Sequence, residues 1–112
     1  MTAELCNFGG NVGDTTPVGR YSPRGDSPYG CADMAGNVWE WTRSLKKGYP
    51  YDPADGREDL KAKGPRVVRG GSWHYYLRFA RCAFRFRYFP DYFNDHLGFR
   101  VVVSLALPSS ES

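Results

Sequence analysis

VVRGGSWHYYLRFARCAFRFRYFPDYFNDHLGFRVVV, residues 67–103, decides how this chain is read. Its two ends, Val67-Val68-Arg69-Gly70-Gly71-Ser72-Trp73 and Gly98-Phe99-Arg100-Val101-Val102-Val103, have the β-branched and aromatic content of buried strands. The middle has another character. Residues 74–96 are crowded with Phe, Tyr and Arg and contain no Lys, Glu, Gln, Met or Trp. The ends suit a scaffold, and the middle suits a surface that acts on something.

A chain of 112 residues has the length of a single domain with one modest core. Aromatics make up 16%, with 13 Gly and 8 Pro, a mixture that favours short strands and long loops over a helical bundle. The net charge of +3 is mild and interspersed, which argues against a nucleic-acid partner. An odd cysteine count, Cys6, Cys31 and Cys82, without metal-type spacing argues against a disulfide framework and against a zinc site, and fits a reducing compartment. No apolar run reaches membrane-spanning length, and no basic-then-apolar leader opens the chain; the compartment stays undefined.

Working outward, residues 7–27 are loop, punctuated by Gly9, Gly10, Gly13, Gly19, Pro23 and Gly25. Residues 32–36 suit one helical turn capped by Gly36. Residues 38–42 alternate Val, Trp, Glu, Trp and Thr, a short strand with Trp39 and Trp41 on one face and Glu40 on the other. Residues 43–64 are a polar surface excursion, with one helical turn near 59–63. Strands are expected at 66–72, 80–89 and 97–105, and the tail 106–112 is expected to be disordered. Trp73 and Phe99 are expected in the core, within a single domain over residues 1–105.

Thr15-Thr16-Pro17-Val18-Gly19, Tyr29-Gly30, Asp33-Met34-Ala35-Gly36-Asn37-Val38-Trp39-Glu40-Trp41, Arg69-Gly70-Gly71-Ser72-Trp73, Arg81 with Ala83 and Arg85, and Gly98-Phe99-Arg100-Val101-Val102 occur in this order. Together they resemble the C-terminal half of the formylglycine-generating-enzyme (sulfatase-modifying factor) domain. The resemblance implies an α+β, C-type-lectin-like fold with a small twisted antiparallel sheet, long loops and little helix. The family's usual N-terminal half is missing here. The resemblance therefore leaves three options: a fragment, a minimal fold, or part of an assembly such as a homo-oligomer.

Enzymes of this family oxidise a sulfatase Cys to formylglycine at a copper(I) site made of two Cys. Soft thiolates suit Cu(I). In this chain the corresponding positions, second and seventh after Trp73, hold Tyr75 and Ala80. Cys82 falls outside that pair. The expectation is no copper and no enzyme, the alternative being a copper-dependent oxidase or a degenerate relative; an accessory or regulatory domain is a third reading.

The middle segment also resembles the variable proteins of diversity-generating retroelements, which share this fold. There, adenine-directed mutagenesis of AAC codons yields Asn, Tyr, His, Asp, Phe, Leu, Ser and Cys among others, but never the five residue types absent from residues 74–96. By this resemblance the variable, ligand-binding positions are His74, Tyr75, Tyr76, Phe79, Cys82, Phe84, Phe86, Tyr88, Phe89, Tyr92, Phe93, Asn94, Asp95 and His96. Tyr and Phe give rigid contact area at low entropic cost. Arg81, Arg85 and Arg87 are expected to hold the display by pairing with backbone or carboxylates. The partner is a protein or other macromolecule.

Family motif matching further implies a structural calcium site at Asp33, Gly36, Val38 and Glu40, and a second at Asn7 and the carbonyl of Phe8. Oxygen donors of this kind suit Ca²⁺.

Overall fold

A computed structural model describes residues 2–76, 79–81 and 83–103. Four strands form one sheet: β1 (Trp39–Leu45), β2 (Arg66–Arg69), β3 (Arg85–Tyr88) and β4 (Leu97–Gly98), in the order β3-β2-β1-β4. β1–β2 and β2–β3 are antiparallel, but β4 joins β1 in parallel, with Trp39 opposite Leu97 and Glu40 opposite Gly98. The expected all-antiparallel sheet is therefore a mixed one. Among the described residues there is no α-helix.

The strands sit where periodicity puts them but are shorter than expected, except the first. β1 starts at Trp39 and runs on to Leu45, with a register shift between Trp41 and Leu45. β2 stops at Arg69 because Gly70 and Gly71 adopt φ of 97° and 74°. The expected strand over 80–89 is reduced to β3, preceded by turns. Among the described residues the final strand keeps only Leu97 and Gly98, and residues 99–103 have no regular structure. The expected helical turn at 32–36 is instead a series of bends, with Asp33, Gly36 and Asn37 at φ of 54°, 77° and 65°. A right-handed turn cannot accommodate those angles. Near 59–63 only a turn closes, Ala62 N–H to Asp59 O at 3.2 Å. The expected tail lies outside the described residues.

Register and alternation put Trp39, Trp41, Val68, Phe86 and Tyr88 on one face of the sheet and Glu40, Val67, Arg69, Arg85 and Arg87 on the other. Trp39 is 0% exposed and centres the first face. Burying a Trp removes roughly 200 Å² from water, about 5 kcal/mol of gross stabilisation at ~25 cal/mol per Å². Val68 and Ala80 are buried too, and Val67 is buried on the opposite face. Phe99, expected in the core, is 74% exposed: the parallel pairing ends at Gly98, and no described element covers the side chain. Trp73 is half-buried, its indole N–H donating to Asp95 O at 3.1 Å.

The polar excursion after β1 is anchored by two buried arginines, Arg57 beside the second face and Arg66, whose register opposite Tyr88 puts it on the first. Arg57 donates to the Asp55 carboxylate and to Gly48 O, and lies 5.0 Å from the Tyr51 ring centroid. Arg66 donates to Arg43 O, Asp59 O and Ala62 O, satisfying loop carbonyls that a helix or sheet would otherwise have paired. Arg85, on the second face, stacks 4.0 Å over the Tyr49 ring. It braces the loop through a ring rather than through the backbone or a carboxylate.

Candidate functional site

The loop at 72–76 is fixed from three directions. Trp73 N–H donates to Asn37 O, Gly9 N–H to Tyr75 O and Gly10 N–H to Trp73 O. Asn37 is the hub behind it. Its Oδ1 accepts from Thr16 N–H at 2.9 Å and from Asn7 Nδ2 at 3.3 Å, and its own amide donates to Thr16 O. Glycine is required beside this hub, since a Cβ on Gly36 would collide with the Asn7 carbonyl. Sequence reading did not single out Asn37; its place directly before the Val38-Trp39-Glu40-Trp41 run was the available signal.

From Trp39 a continuous ring system leads outward. Trp39 meets Tyr75, Phe84 and Phe86 at centroid separations of 5.4, 6.0 and 5.7 Å. Tyr75 touches Phe79 at 5.6 Å, and Phe86 touches Tyr88 at 5.3 Å. Tyr88 stacks on Tyr92 at 4.5 Å with planes 16° apart. At the other end His74 stacks on His96 at 5.8 Å, and Tyr75 meets His96 edge-on. Asn94 holds this corner by accepting from His96 N–H and donating to the Tyr92 hydroxyl, while Asp95 Oδ1 lies 3.2 Å from His96 Nδ1.

The expected variable positions thus fall into two tiers. Tyr75, Phe79, Phe84, Phe86, Tyr88, Asn94 and His96 are half-buried. His74, Tyr76, Phe89, Tyr92, Phe93 and Asp95 are exposed, Tyr76 and Phe93 at 71% and 87%. Cys82 lies outside the described residues. Two open clefts cut the surface. One of about 450 Å³ is lined by Gly9, Gly10, His74, Tyr75, Tyr76 and Phe79. The other, about 360 Å³, is lined by Pro65, Arg87, Tyr88, Phe89, Asp91 and Tyr92. Burial raises the Tyr88 phenol well above its ordinary range, and the Tyr75 hydroxyl 3.4 Å away adds to this.

Neither Tyr75 nor Ala80 offers sulfur. Ala80 is buried against Gly71, where an added Cβ would lie 2.8 Å from the Ala80 Cα. Cys6 is a buried thiol whose pKa burial raises, and Cys31 is an exposed one. Among the described residues no three His, Cys, Asp or Glu side chains cluster as metal ligands, and no helix is long and apolar enough to cross a membrane.

The two expected calcium loci differ. Asn7 is 1% exposed, and its Oδ1 is buried with no hydrogen-bond partner among the described residues. Asp33 and Glu40 line a cleft with Val38, but Arg100 enters the same cleft. Its Nε and Nη2 donate to the two Glu40 carboxylate oxygens, both at 2.7 Å.

Residues 3–105 match the family described as the sulfatase-modifying factor enzyme 1-like domain. The serine/threonine-protein kinase pkn1 of Chlamydia pneumoniae is 41% identical over 92 residues, 78% of this chain and 14% of that protein. Hercynine oxygenase of Mycolicibacterium smegmatis is 40% identical over 80 residues, 64% of this chain and 18% of that one. Inactive C-alpha-formylglycine-generating enzyme 2 of Bos taurus is 37% identical over 105 residues, 86% and 29%. The chain thus spans less than a third of the length of these relatives. Among solved structures, Treponema denticola variable protein 1 superposes with a TM-score of 0.66 at 27% identity, covering 86% of this chain and 34% of that one. PvdO from Pseudomonas aeruginosa gives 0.72 at 31% identity, covering 88% and 38%. The fold is the C-type-lectin-like one, and the chain belongs to the sulfatase-modifying factor (formylglycine-generating enzyme) family.

Proposed function

We propose that this chain is a ligand-binding module that presents a diversified aromatic surface to a protein or other macromolecule. One observation carries the reading: a single connected ring system grades from Trp39, wholly buried, to the exposed His74 and Tyr92. The inner tier fixes the shape of the surface, and the outer tier supplies contact area. Clustered exposed aromatics of this kind mark partner sites. The likeness to Treponema denticola variable protein 1 supports the same reading.

Tyr75 and Ala80 stand where the family's copper enzymes carry thiolates, which is why we read the chain as non-enzymatic. Incubation with copper and a sulfatase-motif peptide is expected to leave the peptide cysteine unchanged by mass spectrometry. Formation of the aldehyde would restore the oxidase reading. Calcium enters at the Asn7 locus, where the buried, unpartnered Oδ1 and the Phe8 carbonyl would hold it. Bound there, it would brace the loop whose Gly9 and Gly10 amides support Tyr75 and Trp73.

The DNA tests the diversification directly. A reverse-transcriptase gene and a near-identical template repeat are expected beside the coding region. Template adenines should fall in the codons of Tyr76, Phe89, Tyr92 and Phe93. A template whose differences from the coding segment avoid adenines would sink the proposal.

A further inference from the structure

We infer that the Arg100 guanidinium is the resident cation of the 33–40 loop and takes the Glu40 carboxylate that the family resemblance would assign to a divalent ion. The fork on Glu40 is bidentate, and the same group also donates from Nη1 to Ala32 O at 2.9 Å and from Nη2 to Asp33 O at 2.8 Å. One planar cation thus gathers a carboxylate and two carbonyls, the oxygen chemistry that a hard cation would otherwise satisfy. Topology delivers it. β4 pairs in parallel with β1, with Gly98 opposite Glu40, and two residues further on Arg100 reaches back over the loop.

The donor set does not fit calcium as well. Both Glu40 oxygens are taken, and the single charge on Glu40 is matched by Arg100. Asp33 turns its Oδ2 away to accept from Gly19 N–H at 2.9 Å. A dication in this cleft of about 240 Å³ would meet the guanidinium as a like charge at close range. The side chains of Arg100 and Glu40 are only 34% and 20% exposed, so water screens that repulsion incompletely. Glu40, with Ala32 and Asp33, is therefore tied to the C-terminal segment rather than to an ion. Anything that displaces residues 99–103 frees Glu40. This inference does not depend on the ligand-binding reading.

Calcium titration by calorimetry of the full chain, with melting temperatures, tests it. Wild type and Glu40→Gln are expected to take up the same number of ions, because Glu40 binds none. Loss of one equivalent in Glu40→Gln overturns the inference. Arg100→Gln is expected to melt about 5–10 °C lower without calcium and to take up one calcium equivalent more than wild type, with a larger calcium-dependent rise in melting temperature. Unchanged uptake in a folded Arg100→Gln would show that the guanidinium holds no ion's place. Where Arg100→Gln does not fold, the comparison of wild type with Glu40→Gln decides.

Discussion

The Trp39 indole meets the Tyr75 ring edge to face, centroids 5.4 Å apart and planes at 73°. This contact joins the scaffold to the surface it displays, so the two tiers should respond differently to mutation. Trp39→Ala leaves a cavity beneath Tyr75, Phe84 and Phe86 and is expected to cost about 3–5 kcal/mol. Tyr76→Ala, one residue beyond Tyr75 and mostly exposed, is expected to stay within about 0.5 kcal/mol of wild type. Urea denaturation of both variants checks the division. A large loss in Tyr76→Ala would place that ring in the core instead of the binding tier.

Gly71 is irreplaceable for two reasons that add. Its φ of 74° is disfavoured for residues with a Cβ, and a Cβ there would sit 2.8 Å from the Ala80 Cα. Gly71→Ala is expected to lose at least about 1–3 kcal/mol, the usual cost of such strain, plus whatever displacement of the 79–81 turn requires. Gly9→Ala is the control: it shares a positive φ of 61° but meets no atom within 4 Å, so its loss should be the smaller of the two in the same denaturation assay.

Much of this was legible from residues alone. Period-two alternation put Trp39 and Trp41 on one face of their strand, because side-chain direction in a strand is fixed by the pleat; that Phe86 and Tyr88 share this face is set by the register. What alternation does not encode is where pairing stops. Phe99 continues an apolar run but lies past the last paired residue, so an expected core side chain is exposed. The parallel β4 was likewise invisible, since a two-residue strand carries no period of its own. The partners of Arg57 and Arg100 were hidden for another reason. Both reach distant or turn carbonyls whose direction is set by the backbone rather than by any side-chain pattern.

Acid should loosen the loop that covers the second face of the sheet. Hydrogen bonds from Arg57 hold the Asp55 carboxyl at about 2, against 3.8 for an unperturbed group. A depressed folded-state value means a stabilising contribution that is complete above about pH 4 and is lost as pH falls towards 2. Glu58 moves in the same direction, through hydrogen bonds from Ser44 and Tyr51. The wild-type melting temperature is therefore expected to fall between pH 4 and pH 2, and the Asp55→Asn variant should fall less steeply over that window. Parallel slopes for the two proteins would remove Asp55 from the account.

The calcium proposal at Asn7 predicts a response that Arg100 cannot imitate. Asn7 uses its amide nitrogen on Asp14 O at 2.8 Å and leaves Oδ1 buried with no partner among the described residues, so the oxygen is already desolvated. Desolvation of an unpaired carbonyl costs about 1–3 kcal/mol, and an ion at that oxygen would offset it. Calcium at about one hundred times its dissociation constant should then add about 2.7 kcal/mol of stability. Asn7→Ala removes both the oxygen and the amide, so it should melt lower than wild type and show no calcium-dependent rise. A wild-type melting temperature that is the same in EDTA and in millimolar calcium would leave Asn7 as a purely structural amide, with water as the partner of its Oδ1.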